Sequence, residues 1–339
     1  MRLIKTEDAV GHVLCHDMTQ IIKDQYKDAR FRKGHVVTEE DIPVLLSMGK
    51  EHLYVWEMTP GMVHENDAAE RLLALCGQEN MIRSGVKEGK IELKAACDGV
   101  FLVDSARLVA VNSQDEVMIA TRKGGMAVRE GEKLAGMRVI PLIIEEEKLR
   151  KAEQAAGDKP LLSLKPYVRK TACIVATGGE VKKGLIKDTF TPVVIDKLKT
   201  YGIETLEVVY SGDGVENVRD AVLAMREKKP DMILCTGGMS VDPDDNTPGG
   251  IKAAGANIIA YGAPVLPGAM FLLGYFDDGM PVMGLPGCVM YAGATVFDLV
   301  LPKIAADVPV TRADLAALGE GGLCLGCKPC HYPICPFGK

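Results

Sequence analysis

Two glycine-bearing segments, Thr177-Gly178-Gly179-Glu180 and Thr236-Gly237-Gly238-Met239-Ser240, each follow a short apolar run. Paired glycines let backbone N–H groups approach an anion closely, because no Cβ stands in the way. The first segment continues to Gly184 and Lys187-Asp188-Thr189, and the second runs on through Asp242, Asp244, Asp245 and Asn246 to Thr247-Pro248. Thr247-Pro248 has the form of a helix cap and first turn, which would deliver a ligand of the second loop to a helix N-terminus. Asp242, Asp244 and Asp245 offer the oxygen ligands that Mg²⁺ takes, or simply cap that helix. A third constellation lies near the end of the chain, where Cys324, Cys327, Cys330 and Cys335 follow the spacing C-x₂-C-x₂-C-x₄-C-P. Four thiolates separated by Gly and Pro turns suit a metal centre. An iron–sulfur cluster fits this spacing better than zinc, whose sites split two Cys pairs by a longer spacer. A redox-sensitive tail without metal is the alternative, with His331 a bystander.

Familiar nucleotide and metal motifs fail on chemistry. Gly212-Asp213-Gly214 leads to Asn217 where a dinucleotide fingerprint needs glycine. Gly179 and Gly184 have P-loop spacing, but Leu185-Ile186 follows in place of Lys and Ser/Thr. His64-Glu65 has no second His at the zinc-protease spacing. Composition narrows the classes further. The 339 residues are 47% hydrophobic, enough for a packed core and for about two domains. With 40 Lys+Arg against 46 Asp+Glu, the net charge is −6, which argues against general binding to a phosphate backbone. Aromatic residues make up 5%, with Trp56 the single tryptophan, so base-stacking platforms are poorly supplied. The first residues lack the apolar core of a signal peptide, and no run of 18 apolar residues occurs. A cytoplasmic protein with no nucleic-acid or membrane partner is expected. Cys15, Cys76, Cys97, Cys173, Cys235 and Cys288 then read as thiols, mostly small buried apolar residues.

The elements that must hold these groups fall into three regions. Residues 1–165 read as a mixed α+β region and linker. One helix starts at Thr38 and ends at Gly49. A second covers Glu65 to Cys76, with Ala68, Ala69, Leu72, Leu73 and Cys76 at helical spacing and Gly77 as its stop. Ile91 to Asn112 reads as strands around an Asp98-Gly99 turn, and Glu145 to Lys151 as a solvated helix. From residue 166 to 310, strands and helices alternate. Ala172–Ala176, Thr205–Tyr210 and Met232–Cys235 form strands. One helix starts at Thr191-Pro192 with Thr191 as cap, and another carries Val215, Val218, Val222 and Met225 on one face. Such alternation predicts a three-layer α/β domain with a parallel sheet and ligand loops at the strands' carboxyl ends. Residues 311–339 form the Cys-rich tail.

In combination the loops are specific. Thr236-Gly237-Gly238 with Asp245, Thr247 and Pro248 resembles the signature loop of the molybdenum-cofactor biosynthesis domain, shared by molybdopterin adenylyltransferases and molybdopterin molybdenumtransferases. Thr177-Gly178, Glu180, Gly184, Ile186 and Asp188 resemble the first binding loop of the transferase branch. Asp213 follows the next strand as in the family, and Pro267-Gly268 and Gly284-Leu285-Pro286-Gly287 match its third and fourth loops. The resemblance covers residues 168 to 305. It implies a molybdopterin-binding domain that inserts molybdate into adenylylated molybdopterin and releases AMP, with Mg²⁺. Asp245, positioning Mg²⁺ and the phosphoanhydride, and Asp188, lining the same cleft, are the implied catalytic pair. The implied cofactor-binding residues are Thr177, Gly178, Glu180, Asp213, Thr236, Gly237, Gly238, Ser240, Thr247, Pro267, Gly268, Pro286, Gly287 and Cys288. The resemblance also implies a homo-oligomer, dimer or trimer. Two departures stand out: Cys288-Val289 replaces the Asn-Pro that follows Gly-Leu-Pro-Gly in the transferases, and Asp244 occupies the place of a basic residue in the adenylyltransferases. Cys288, on a loop facing the cofactor, is placed to touch the dithiolene or molybdenum. The competing expectation is a non-catalytic carrier or maturation factor that hands the cofactor to a molybdenum enzyme. A regulatory cofactor sensor is a third, without a recognisable DNA-binding motif to support it.

Overall fold

The structure, a computed structural model, describes residues 2–22, 26–55, 60–240, 242 and 245–339. Trp56 and Asp244, both singled out in the sequence, lie outside the described residues. The chain divides into two compact units. One comprises residues 1–96, 103–124 and 131–163, and the other 97–102, 125–130 and 164–339. No described helix is long and apolar enough to cross a membrane.

The first unit is built from short antiparallel pieces. Arg2–Lys5 pairs with His52–Val55, and Met18–Ile22 pairs with Tyr26–Phe31. Their inward residues, Ile4, Met18, Phe31, Leu53 and Val55, close a core with Leu14 and with Leu45 of the helix Asp41–Ser47. A four-stranded antiparallel sheet orders Met81–Arg83, Ile91–Ala95, Lys133–Val139 and Val117–Thr121. The helix Glu65–Cys76 buries Ala68, Ala69, Leu72, Leu73 and Cys76, the stripe its spacing predicts, and stops at Gly77 with φ +72°. Glu146–Ala156 is also helical, as the charge pattern indicates. The expected strand over residues 105–112 is instead a helix, Ser105–Asn112. Asp104 decides it: its Oδ1 accepts from Arg107 N at 3.0 Å, a local cap that outweighs the β-branched Val109 and Val111.

In the second unit six strands make one sheet: β1 (Thr171–Thr177), β2 (Glu204–Ser211), β3 (Met232–Thr236), β4 (Asn257–Tyr261), β5 (Leu272–Tyr275) and β6 (Pro281–Leu285). Their spatial order is β2-β1-β3-β6-β5-β4, with β2, β1, β3 and β6 parallel. The expected parallel sheet is present in these four strands, and at the far edge β5 is antiparallel to both β6 and β4. Residues 276–280 join β5 to β6 and are too few for the crossover that a parallel pair requires. Because β4 runs opposite to β5, its carboxyl end returns to the same edge as those of the four parallel strands.

Side-chain parity along the strands builds three layers. Ala172, Ile174, Met232, Leu234, Met283 and Leu285 face one core with Val194 and Leu198 of α1 (Phe190–Lys199). Cys173, Val175, Ile233, Cys235 and Val282 face the other. There they meet Val218, Val222 and Met225 of α2 (Val215–Glu227) and Ile251 of α3 (Thr247–Ala253). Each such buried aliphatic side chain contributes about 1.5–3 kcal/mol, so both faces are firmly specified. The first core continues into α4 (Val296–Ala305) and α5 (Arg312–Ala317).

The Cys-rich segment packs into this unit rather than standing apart as a tail. Phe337 is 2% exposed within the first core, and Tyr332 donates its hydroxyl to Asp298 O at 3.0 Å. Leu266 N donates to Gly322 O and Cys324 N to Leu266 O, both at 2.8 Å, which ties the segment to the loop after β4.

Candidate functional site

The strand order reverses direction between β1 and β3. From β1 the chain moves outward to β2, then returns across β1 to β3. Ligands of open α/β sheets bind beyond the carboxyl ends of the strands at such a switch point. The two glycine pairs leave the sheet there. Gly237 has φ +81°, and a Cβ on it would lie 2.3 Å from Thr177 O. Gly238 has φ +57°, and its Cβ would lie 2.6 Å from Thr247 Oγ1. Only glycine fits either place. The close approach is locked by buried hydroxyls: Thr177 Oγ1 donates to Thr236 O at 2.9 Å, Thr247 Oγ1 donates to Gly237 O at 2.9 Å, and the two hydroxyls lie 3.1 Å apart. Thr247 is thus the first residue of α3, after Asn246 at the cap position.

Asp213, on the turn after β2, joins the first loop. Its Oδ2 accepts from Gly179 N at 3.0 Å, and a Cβ on Gly179 would strike that oxygen at 2.7 Å. Glu180 is exposed on the single turn Gly179–Lys182. Lys182, Lys183 and Lys187 are exposed on the same loop and make no ion pair among the described residues. Asp188 Oδ1 accepts from Phe190 N and Thr191 N, and Tyr210 donates to its Oδ2 at 3.2 Å. Asp188 therefore caps α1, in place of the expected Thr191, which is buried inside the first turn. Burial alone would raise the Asp188 carboxyl, but the hydrogen bonds from Thr191, Phe190 and Tyr210 outweigh it and hold it below its ordinary value.

On the second loop, Asp245 Oδ2 accepts from Ser240 N at 2.9 Å, and Asp245 N donates to Asp242 O. Met239 anchors this loop at 3% exposure, packing over Gly284 of β6, where a Cβ would lie 2.5 Å from its sulfur. Tyr261, at the end of β4, donates to Met239 O. Gly268 of the third loop packs under Val296, and Val296 N donates to Pro267 O at 3.3 Å. On the fourth loop Pro286 is buried, Gly287 faces open space, and half-buried Cys288 has its thiol pushed up by burial. Thr189 Oγ1 donates to Met290 Sδ at 3.1 Å, linking the first and fourth loops.

The structure brings Thr177, Thr236, Gly237, Gly238 and Thr247 into one cluster, joins Gly179 to Asp213, and joins Ser240 to Asp245. It does not gather the proposed metal ligands. Among the described residues no three His, Cys, Asp or Glu side chains lie together in a way that could hold a metal ion. Cys330 instead sits on the fourth loop, where a Cβ on Gly293 would lie 2.8 Å from its Cβ and Sγ. Tyr210, Tyr261, Lys182 and Lys183 were given no site role by the sequence reading, and Lys187 was read only as part of the first loop. Tyr261 ends β4 and Tyr210 is next to last in β2, both at the carboxyl edge, and that position was their only signal.

Residues 173–306 match the family described as a probable molybdopterin binding domain, and residues 3–57 match one described as a domain of unknown function. The match to the probable molybdopterin binding domain of the molybdenum-cofactor biosynthesis family falls within the α/β unit. The chain is 33% identical over 76 residues to a CinA-like protein of Mycobacterium tuberculosis, a match that spans 22% of this chain and 18% of that protein. Among solved structures, the molybdopterin biosynthesis Mog protein of Mycobacterium ulcerans aligns with TM-score 0.34 and 20% identity, over 42% of this chain and 97% of that one. A molybdenum cofactor biosynthesis protein of Pyrococcus furiosus aligns over 93% of this chain and 64% of its own, with TM-score 0.27 and 13% identity.

Proposed function

We propose that the α/β unit holds adenylylated molybdopterin in the cleft between β1 and β3, inserts molybdate, and releases AMP. The observation that carries this reading is the close approach of Gly237 and Gly238 to Thr177 at the switch point, within the residues that match a probable molybdopterin binding domain. Lys182, Lys183 and Lys187 add positive charge for a phosphate on the rim of that cleft. Asp188 and Asp245 are held by their backbone partners at the mouths of the first and second loops. In this reading they orient the phosphoanhydride and its magnesium. Mg²⁺ keeps several waters and binds phosphates plus one or two carboxylates, so it would arrive with the nucleotide and need no protein cage.

A second reading, a carrier that hands the cofactor to a molybdenum enzyme, is favoured by Cys288-Val289 in place of Asn-Pro. A thiol cannot supply the hydrogen bonds of the amide it replaces. AMP release from adenylylated molybdopterin, with molybdate and Mg²⁺, separates the two. Asp245→Asn keeps a carbonyl acceptor for Ser240 N while removing the charge. Molybdate-dependent release by the wild type, lost in Asp245→Asn, supports insertion. Tight pterin binding without release in either protein supports the carrier.

A further inference from the structure

We propose that the first unit carries a separate anion site that takes a small phosphomonoester, formed by Arg30, Arg32 and Lys33 around an open concavity. The cavity measures about 600 Å³ and is lined by residues 29–35 with Asp41 and Val44. Its cations are aimed by two features of the backbone. Thr19 pairs with Ala29 and Met18 with Phe31, so Arg30 falls at a break in the register of the hairpin. Such a bulge re-aims the side chain of its extra residue. The turn that follows is closed by His35 N donating to Arg32 O at 3.0 Å, with Gly34 at φ +88°, and it turns Lys33 back over the cavity.

The two guanidinium charges are not met by a carboxylate among the described residues. Arg30 and Arg32 are exposed, and neither guanidinium has an ion-pair or hydrogen-bond partner among the described residues. The Lys33 ammonium is engaged from behind, its Nζ 3.2 Å from His64 Nδ1. Asp41, the one carboxylate on the wall, is already occupied: His35 Nε2 lies 2.7 Å from its Oδ2, and Thr38 N and Oγ1 both donate to the same oxygen at 2.8 Å. Asp17 accepts from Lys33 N and Asp28 from Ala29 N, which satisfies each locally. Two guanidinium forks on one concavity, without a partner among the described residues, suit bidentate recognition of a phosphate. The cavity exceeds the size of a bare oxyanion, and Phe31 and Val44 give it an apolar wall for a small organic body. The site lies wholly in the first unit and stands independently of the cofactor reading.

Titration calorimetry on the full chain at low ionic strength tests this, with glycerol 3-phosphate as probe and glycerol as the uncharged control. The wild type is expected to bind glycerol 3-phosphate saturably and glycerol not at all. Arg30→Ala/Arg32→Ala should weaken binding at least tenfold with an unchanged melting temperature, because both side chains are solvent-facing. Arg30→Lys/Arg32→Lys should recover part of the affinity, and Lys182→Ala/Lys187→Ala should leave it unaltered. No saturable binding by the wild type, or equal binding by the double alanine variant, would overturn the proposal. So would loss of binding in the Lys182/Lys187 variant alone.

Discussion

The two units put their chemistry on different parts of the chain. At the sheet edge of the α/β unit the backbone does the work: glycines admit a carbonyl or hydroxyl to within contact distance, and threonine hydroxyls lock the approach. In the first unit the candidate chemistry hangs on long side chains, two guanidinium groups and an ammonium on a bulged hairpin. A backbone-built site tolerates little substitution and leaves a pattern of glycines in the sequence. A site built from exposed side chains needs a particular bend in the strand, which no residue type announces.

The sharpest way to break this contrast is at Gly237. Gly237→Ala combines a left-handed φ with a clash against Thr177 O, so its cost should exceed the roughly 1–3 kcal/mol of backbone strain alone. Gly287→Ala, whose Cβ meets open space, should be close to neutral. Urea unfolding of the two variants measures the difference. Equal midpoints would mean that the edge is looser than the close approach at Gly237 requires.

A smaller effect is expected in the first unit. His64 is 6% exposed; its Nε2 donates to Cys15 O at 2.7 Å, and its Nδ1 accepts from Asn66 N at 3.1 Å and faces Lys33 Nζ. Burial lowers its pKa, and the Lys33 charge lowers it further against the raising effects of the Cys15 carbonyl and Asp67. His16 is lowered likewise by burial, Lys50 and His64, and its buried Nδ1 has no partner among the described residues. The unfolded chain therefore binds more protons just below the ordinary imidazole value of about 6.5. Stability is fully present above that pH and falls as the pH drops toward the folded values, by about 1.4 kcal/mol for each unit of lowering. Melting curves at pH 8 and pH 5.5 should show the loss, and His64→Gln, which keeps a donor toward Cys15 O, should shrink it. An unchanged difference in His64→Gln would move the effect to other groups.

What the sequence made legible follows the same division. The helix Glu65–Cys76 could be read because its apolar stripe and Gly77 stop agree with each other. The strands of the α/β unit could be read because both faces are buried, so their apolar runs are continuous. The capping of α1 by Asp188 was hidden behind the more conspicuous Thr191-Pro192 pair. The reversal of β5 was hidden because nothing in Leu272–Tyr275 encodes direction, only the short connection does. The Cys-rich segment drew attention to its thiols, yet Phe337 and Tyr332 fix its place, and they are ordinary core residues.

The central claim is that the switch-point cleft holds the phosphorylated pterin. Equilibrium binding of molybdopterin to anaerobically purified protein tests it, comparing the wild type with Lys182→Ala/Lys183→Ala/Lys187→Ala and with Arg30→Ala/Arg32→Ala. Saturable binding by the wild type, weakened at least tenfold by the lysine substitutions and untouched by the arginine ones, is the predicted result. Equal affinity in the wild type and the lysine variant, or none in the wild type, would contradict the account.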